Sequence, residues 1–135
     1  MRSANRIVVS VMNLLREKVQ PGVTTLELDR VAYEAILKEG SKPAFKGYRG
    51  YNHTLCISVN EEVVHGIPGP RTIRDGDLVS LDVGGLLEGW YADAATTVPV
   101  GSVPPEARRL VEATRRALDA GIACAIVGNR VSDIS

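Results

Sequence analysis

The stretch LDVGGLLEGWYAD, residues 81–93, sets Asp82 and Asp93 on either side of a glycine-bearing bend, each inside a run of strand-forming residues. Aspartate is depleted in strand interiors, so two of them in one short hairpin require something to compensate their charge. No basic side chain nearby does so. From Asp75 to Ala107 the charged residues are Asp75, Asp77, Asp82, Glu88, Asp93 and Glu106, all acids. A hairpin folding back at Glu88-Gly89 places Asp82 and Asp93 on a diagonal of the same face, roughly 7–8 Å apart at Cα. Carboxylates so placed can grip metal ions about 3.5–4 Å apart. On spacing alone two other readings stay open. The pair can share a proton, since like charges that close do not both ionise cheaply, or the hairpin can simply show an exposed acidic face.

The rest of the chain fits one soluble α+β domain. At 135 residues, 44% hydrophobic and 24% charged, it has enough apolar material for a core. Sixteen basic and sixteen acidic residues cancel, so no global field favours a nucleic acid or a membrane surface. No 18-residue apolar span occurs and the first residues lack a signal-peptide cleavage pattern, which reads as a cytoplasmic protein. Cys56 and Cys124 lie in apolar surroundings without CxxC spacing and read as buried thiols.

Apolar residues Ile7, Val8, Val11, Leu14, Leu15 and Val19 recur at three- and four-residue steps, predicting a helix over Ser3–Gln20 that Pro21-Gly22 stops. Thr24-Thr25-Leu26-Glu27 reads as a capping box opening a second helix to about Lys38, with Gly40 past its end. Ser41 to Tyr51 reads as a loop. Strands are predicted at His53–Val59, Glu62–His65, Leu78–Val83 and Trp90–Val100, separated by turn signals. Asp75, Asp77 and Glu88 fall on those turns and read as water-facing turn residues. A third helix starts at Pro104-Pro105-Glu106, carries Leu110, Val111, Thr114, Leu118, Ile122 and Ala125 on one face, and ends at Gly128. Gly84-Gly85 has no following lysine or helix and reads as a hairpin feature rather than a phosphate loop. His53 reads as a surface residue.

The run from Ser58 to Pro68, SVNEEVVHGIP, followed by DGDLVSLDV at residues 75–83 and by Asp93, resembles the type I methionine aminopeptidases. The resemblance extends through PGVTTLELD near the start and VSDIS at the end. It implies half of a pita-bread fold: an antiparallel sheet with helices packed on one face, residues 1–135 forming the N-terminal half of a catalytic domain cut at both ends. It also implies two divalent metal ions, for which an oxygen-rich ligand set suits manganese, iron or cobalt. In the family the ions are held by two aspartates, matched here by Asp82 and Asp93, and by a histidine and two glutamates expected beyond Ser135.

His65 matches a catalytic histidine that contacts the substrate near the scissile amide without binding metal. Read without the resemblance, it is a strand-end residue satisfied by backbone. Tyr48, Tyr51 and Cys56 match positions lining the methionine pocket, although plain packing accounts for them equally well. Phe45 stands where many members carry another pocket cysteine, which alters the pocket's shape. The implied activity is metal-assisted removal of the N-terminal methionine from peptides and nascent chains, by a protein that is monomeric at full length and engages neither nucleic acid nor membrane. The 135-residue chain alone is expected to be inactive. The alternatives are a proline-directed peptidase of the same fold, or a non-catalytic binding module.

Overall fold

In the computed structural model, which describes residues 1–135, helix α1 spans Arg2–Lys18 and turns Ala4, Val8, Val11, Met12 and Leu15 into the core. It ends two residues before the Pro21-Gly22 signal. Helix α2, Thr25–Lys38, opens with the predicted capping box: Glu27 N–H donates to Thr24 Oγ1 at 3.2 Å, and Thr24 N–H donates to Glu27 Oε2 at 2.7 Å. Its far end is a Schellman closure, in which Gly40 N–H donates to the Leu37 carbonyl and Ser41 N–H to that of Ile36. Gly40 supplies the left-handed φ of +70° that this closure needs.

The sheet comprises β1 (Lys42–Pro43), β2 (Leu55–Val59), β3 (Leu78–Leu87) and β4 (Trp90–Pro99), all antiparallel. Strand β3 is central, pairing β1 and β2 along one edge and β4 along the other. Glu88 and Gly89 have φ of 50° and 82°, the two-residue turn whose twist matches the flanking strands. Side chains alternate along β3. Val79, Leu81 and Val83 point into a core shared with Leu55, Ile57 and Val59 of β2, with α1, and with Leu28, Ala32 and Ile36 of α2. At Gly85 helix α1 comes so near that a Cβ would sit 3.0 Å from Val8 Cγ2. The even-numbered residues Ser80, Asp82 and Gly84 face the other way, and that opposite face carries the candidate site.

The chain divides into two compact units, Met1–Ser102 and Val103–Ser135. The second holds α3, Pro105–Cys124, and a 3-10 turn at Val131–Asp133. Helix α3 stops at Cys124, short of Gly128, and none of its residues is buried: Leu110, Leu118 and Ile122 of its apolar stripe stand exposed. Cys124 is half-buried rather than buried, whereas Cys56 is buried as expected.

Three further expectations are corrected. Glu62–His65 is not a strand, because the chain reverses directly after β2. Asn60 takes φ 58°, Glu62 N–H donates to the Val59 carbonyl, and the Glu62 carboxylate accepts the Val59 N–H at 2.7 Å. Asp77 does not face water. It is buried, accepting Arg74 N–H at 2.8 Å and the Asn60 side-chain amide at 2.9 Å. His53 lies outside β2 and is half-buried against Asp29, with Nδ1 3.3 Å from a carboxylate oxygen.

Candidate metal centre

The β3–β4 register fixes the relation between the two aspartates. Asp82 faces Ala95 and Asp93 faces Gly84, so both carboxylates leave the same face of the hairpin on adjacent same-face rungs. Asp93 is exposed, whereas Asp82 is half-buried. Asp82 Oδ1 is fully buried and has no hydrogen-bond partner, a condition that costs a polar atom on the order of 1–3 kcal/mol. Neither residue takes part in an ion pair with Lys or Arg. Burial above all, and then the charge of Asp93, pushes the Asp82 carboxyl up to about 6, while His65 pulls it in the other direction.

Across β2 the residue directly opposite Asp82 is Cys56. Its thiol is raised above the usual range, chiefly by burial and further by the negative charges of Asp82, Asp93 and Asp29, with Tyr51 opposing the shift. Such a thiol stays protonated and packs as a small apolar group. The Tyr51 hydroxyl donates to the Leu55 carbonyl at 2.8 Å and its phenol is raised too, burial being the main cause. Phe45 closes the opposite side: a Cβ on Gly84 would lie 2.5 Å from Phe45 Cε1. His65 is exposed and stands on the loop beside β2.

Asp82, Asp93, Cys56, Tyr51 and His65 are thus brought together around one sheet face. Tyr48 is not joined to them by any hydrogen bond or ring contact. It is 65% exposed on the 3-10 turn Tyr48–Gly50, with the Arg49 guanidinium 5.5 Å from its ring centre.

Two supporting residues escaped the reading of the sequence. Asp29, 8% exposed on α2, accepts Thr54 N–H at 2.7 Å and Leu55 N–H at 3.1 Å with one oxygen while the other meets His53. It thereby pins the start of β2. The available signal was its spacing, since Thr25, Asp29, Ala32 and Ile36 lie on one helical face. Ser58, buried on β2, accepts Gly66 N–H at 3.0 Å, a bond that no local pattern reveals.

An orphaned, buried carboxylate oxygen next to a second carboxylate, neither paired to Lys or Arg, fits a hard divalent ion. No group of three or more His, Cys, Asp or Glu side chains gathers there, so the face offers the two carboxylates alone. Both donors of the pair are carboxylate oxygens.

The model of the family described as Metallopeptidase family M24 matches residues 1–135. A methionine aminopeptidase of Clostridium perfringens is 50% identical over 135 residues, which is all of this chain and 54% of that protein. Methionine aminopeptidase 1 of Bacillus subtilis is 45% identical over 135 residues, again the whole chain and 54% of the relative. The crystal structure of methionine aminopeptidase from Thermotoga maritima superposes with a TM-score of 0.90 at 40% identity, covering 93% of this chain and 51% of that one. The chain therefore spans about half the length of the relatives it matches and has the α+β architecture of the corresponding half of the pita-bread fold. No helix is long and apolar enough to cross a membrane.

Proposed function

The chain belongs to metallopeptidase family M24, and from that premise we propose that it is the N-terminal half of a methionyl aminopeptidase, contributing Asp82 and Asp93 to a two-metal centre. The observation that carries this reading is the buried, unpartnered Asp82 oxygen beside a second carboxylate, with no Lys or Arg paired to either residue. Its weight comes from the relatives of 45% and 50% identity, both named methionine aminopeptidases.

In this account Asp82 and Asp93 hold the ions, with manganese, iron or cobalt as the candidates. Bound there, divalent ions supply a water activated at neutral pH and polarise the carbonyl of the first peptide bond. The protein's own contribution is placement. Exposed Asp93 and half-buried Asp82 differ in their access to water, so the pair presents one open and one enclosed carboxylate. His65 contacts the substrate near the scissile amide. Tyr51 and Cys56 line the space for the methionine side chain, and their protonated, uncharged state suits an apolar thioether. Phe45 narrows that space over Gly84. The substrates are peptide and nascent-chain N-termini beginning with methionine. The working protein is a cytoplasmic monomer that contacts neither nucleic acid nor membrane.

A chimera tests the proposal. The chain replaces the matching 135-residue segment of the Clostridium perfringens enzyme, and methionine release from Met-Ala-Ser is followed with manganese present. Chelator-sensitive release, abolished by Asp93→Ala, is expected, and the 135-residue chain alone should release none. A folded chimera that cleaves an X-Pro dipeptide but not Met-Ala-Ser would replace this reading with the proline-directed one. A folded chimera inert toward both would favour the binding module.

A further inference from the structure

We propose that Ser58 is a positioning residue for His65, acting through the amide of Gly66. The inference rests on the reading of His65 as the substrate-facing residue and adds the device that holds it in place.

His65 sits at φ 59°, in the left-handed region, where a residue bearing a Cβ is disfavoured by roughly 1–2 kcal/mol. It persists only if its surroundings impose it. What imposes it is the next residue. Gly66 is fastened to β2 by both of its polar backbone groups: Ile57 N–H donates to the Gly66 carbonyl at 2.9 Å, and Gly66 N–H donates to Ser58 Oγ at 3.0 Å. The fit leaves no room for a side chain. A Cβ on Gly66 would run into the Ile57 carbonyl oxygen and lie 2.7 Å from the Ile57 carbonyl carbon and 2.9 Å from Ser58 Cα.

The N–H that Ser58 accepts belongs to the planar peptide joining His65 to Gly66, so fixing that N–H fixes the plane leaving His65. Ser58 is well placed for this role. It lies on the sheet face of Cys56 and Asp82, one same-face step along β2 from Cys56, and its cross-strand neighbour Ser80 is already engaged with Thr97 at 2.9 Å. The Ser58 hydroxyl therefore links the rung beside Asp82 to the loop carrying His65.

The experiment uses the 135-residue chain, isotopically labelled for NMR. Ser58→Ala removes the acceptor and leaves a half-buried N–H unpaired. The expected result is about tenfold faster hydrogen exchange at the Gly66 amide and moved His65 ring resonances, with the Leu81 and Val83 amides and the His53 ring unchanged. Ser58→Thr, which keeps the hydroxyl, restores both signals. Thr97→Ala, which removes a hydroxyl from the same face, moves neither. Should Ser58→Ala unfold the chain, Ser58→Cys offers a weaker acceptor of similar shape and is expected to shift the same signals to a lesser degree.

Unmoved His65 and Gly66 signals in these variants, or the same movement in Thr97→Ala, would overturn the proposal. Added manganese separates its failure from that of the functional reading. In the parent, the ion broadens Ala95 and His65 together, and Ser58→Ala weakens the broadening at His65 relative to Ala95. If manganese broadens neither while Ser58→Ala still moves His65, the metal assignment falls and the positioning role stands.

Discussion

Asp93 faces Gly84 across the hairpin, and Asp82 lies two residues before that glycine on the same face. The space a Gly84 side chain would fill is taken, with Phe45 Cε1 at 2.5 Å and Ala44 Cβ at 3.0 Å from where a Cβ would stand. The glycine and the aromatic ring are therefore matched to each other beside the two carboxylates.

Gly84→Ala should push the Phe45 ring off the sheet and destabilise the chain by about 1–3 kcal/mol, the usual cost of overpacking. Urea denaturation checks this. Combining Gly84→Ala with Phe45→Ala should recover part of the loss, and a purely additive double variant would contradict the contact.

Asp82 makes the metal-free chain sensitive to pH. Its folded-state carboxyl is raised from 3.8 to about 6, so the folded chain holds the proton more tightly than the unfolded chain does. Its contribution is fully present below about pH 4 and is lost as the pH climbs through about 6. Asp82→Asn, which keeps the shape and removes the charge, should thus be near neutral at pH 4 and stabilising by roughly 1 kcal/mol at pH 8, less than the full shift corresponds to because solvent screens the half-buried carboxyl. Thermal melts in chelator at the two pH values measure the difference, and equal effects at both would contradict the assignment.

Asp29 is the support whose loss should cost most. Asp29→Ala leaves the buried N–H groups of Thr54 and Leu55 without an acceptor, at about 2–4 kcal/mol. Asp29→Asn retains one acceptor oxygen and should cost less. The comparison by urea denaturation also reports on β2, because faster amide exchange at Thr54 and Leu55 is expected in both variants.

What the sequence revealed best was what neighbouring residues decide. Thr24 and Glu27 satisfy each other within one turn, and Glu88-Gly89 sets the hairpin register, so the capping box and the Asp82–Asp93 diagonal were both legible. The HGIP motif was recognisable, but its conformation was not. Val63 and Val64 suggest a strand, whereas the 60–62 turn and the fastening of Gly66 to Ile57 and Ser58 determine the path. Asp29 and His53 meet only after folding brings residues 24 positions apart together, and no periodicity registers such a pair. The stripe on α3 was visible as a pattern, but burial depends on what covers a face, and Leu110, Leu118 and Ile122 are exposed. Tyr48 was placed in the pocket by resemblance alone, and its exposed ring beside Arg49 follows from the left-handed backbone of Arg49 within the 3-10 turn.

The most direct test of the metal centre is a manganese titration of the unaltered 135-residue chain, with free ion followed by electron paramagnetic resonance. Two carboxylates forming part of a shell should give weak binding, on the order of 0.1–1 mM, with loss of that binding in Asp82→Asn/Asp93→Asn. Binding that survives the double substitution unchanged, or none at about 10 mM manganese, far above that range, would contradict the assignment of these aspartates to metal.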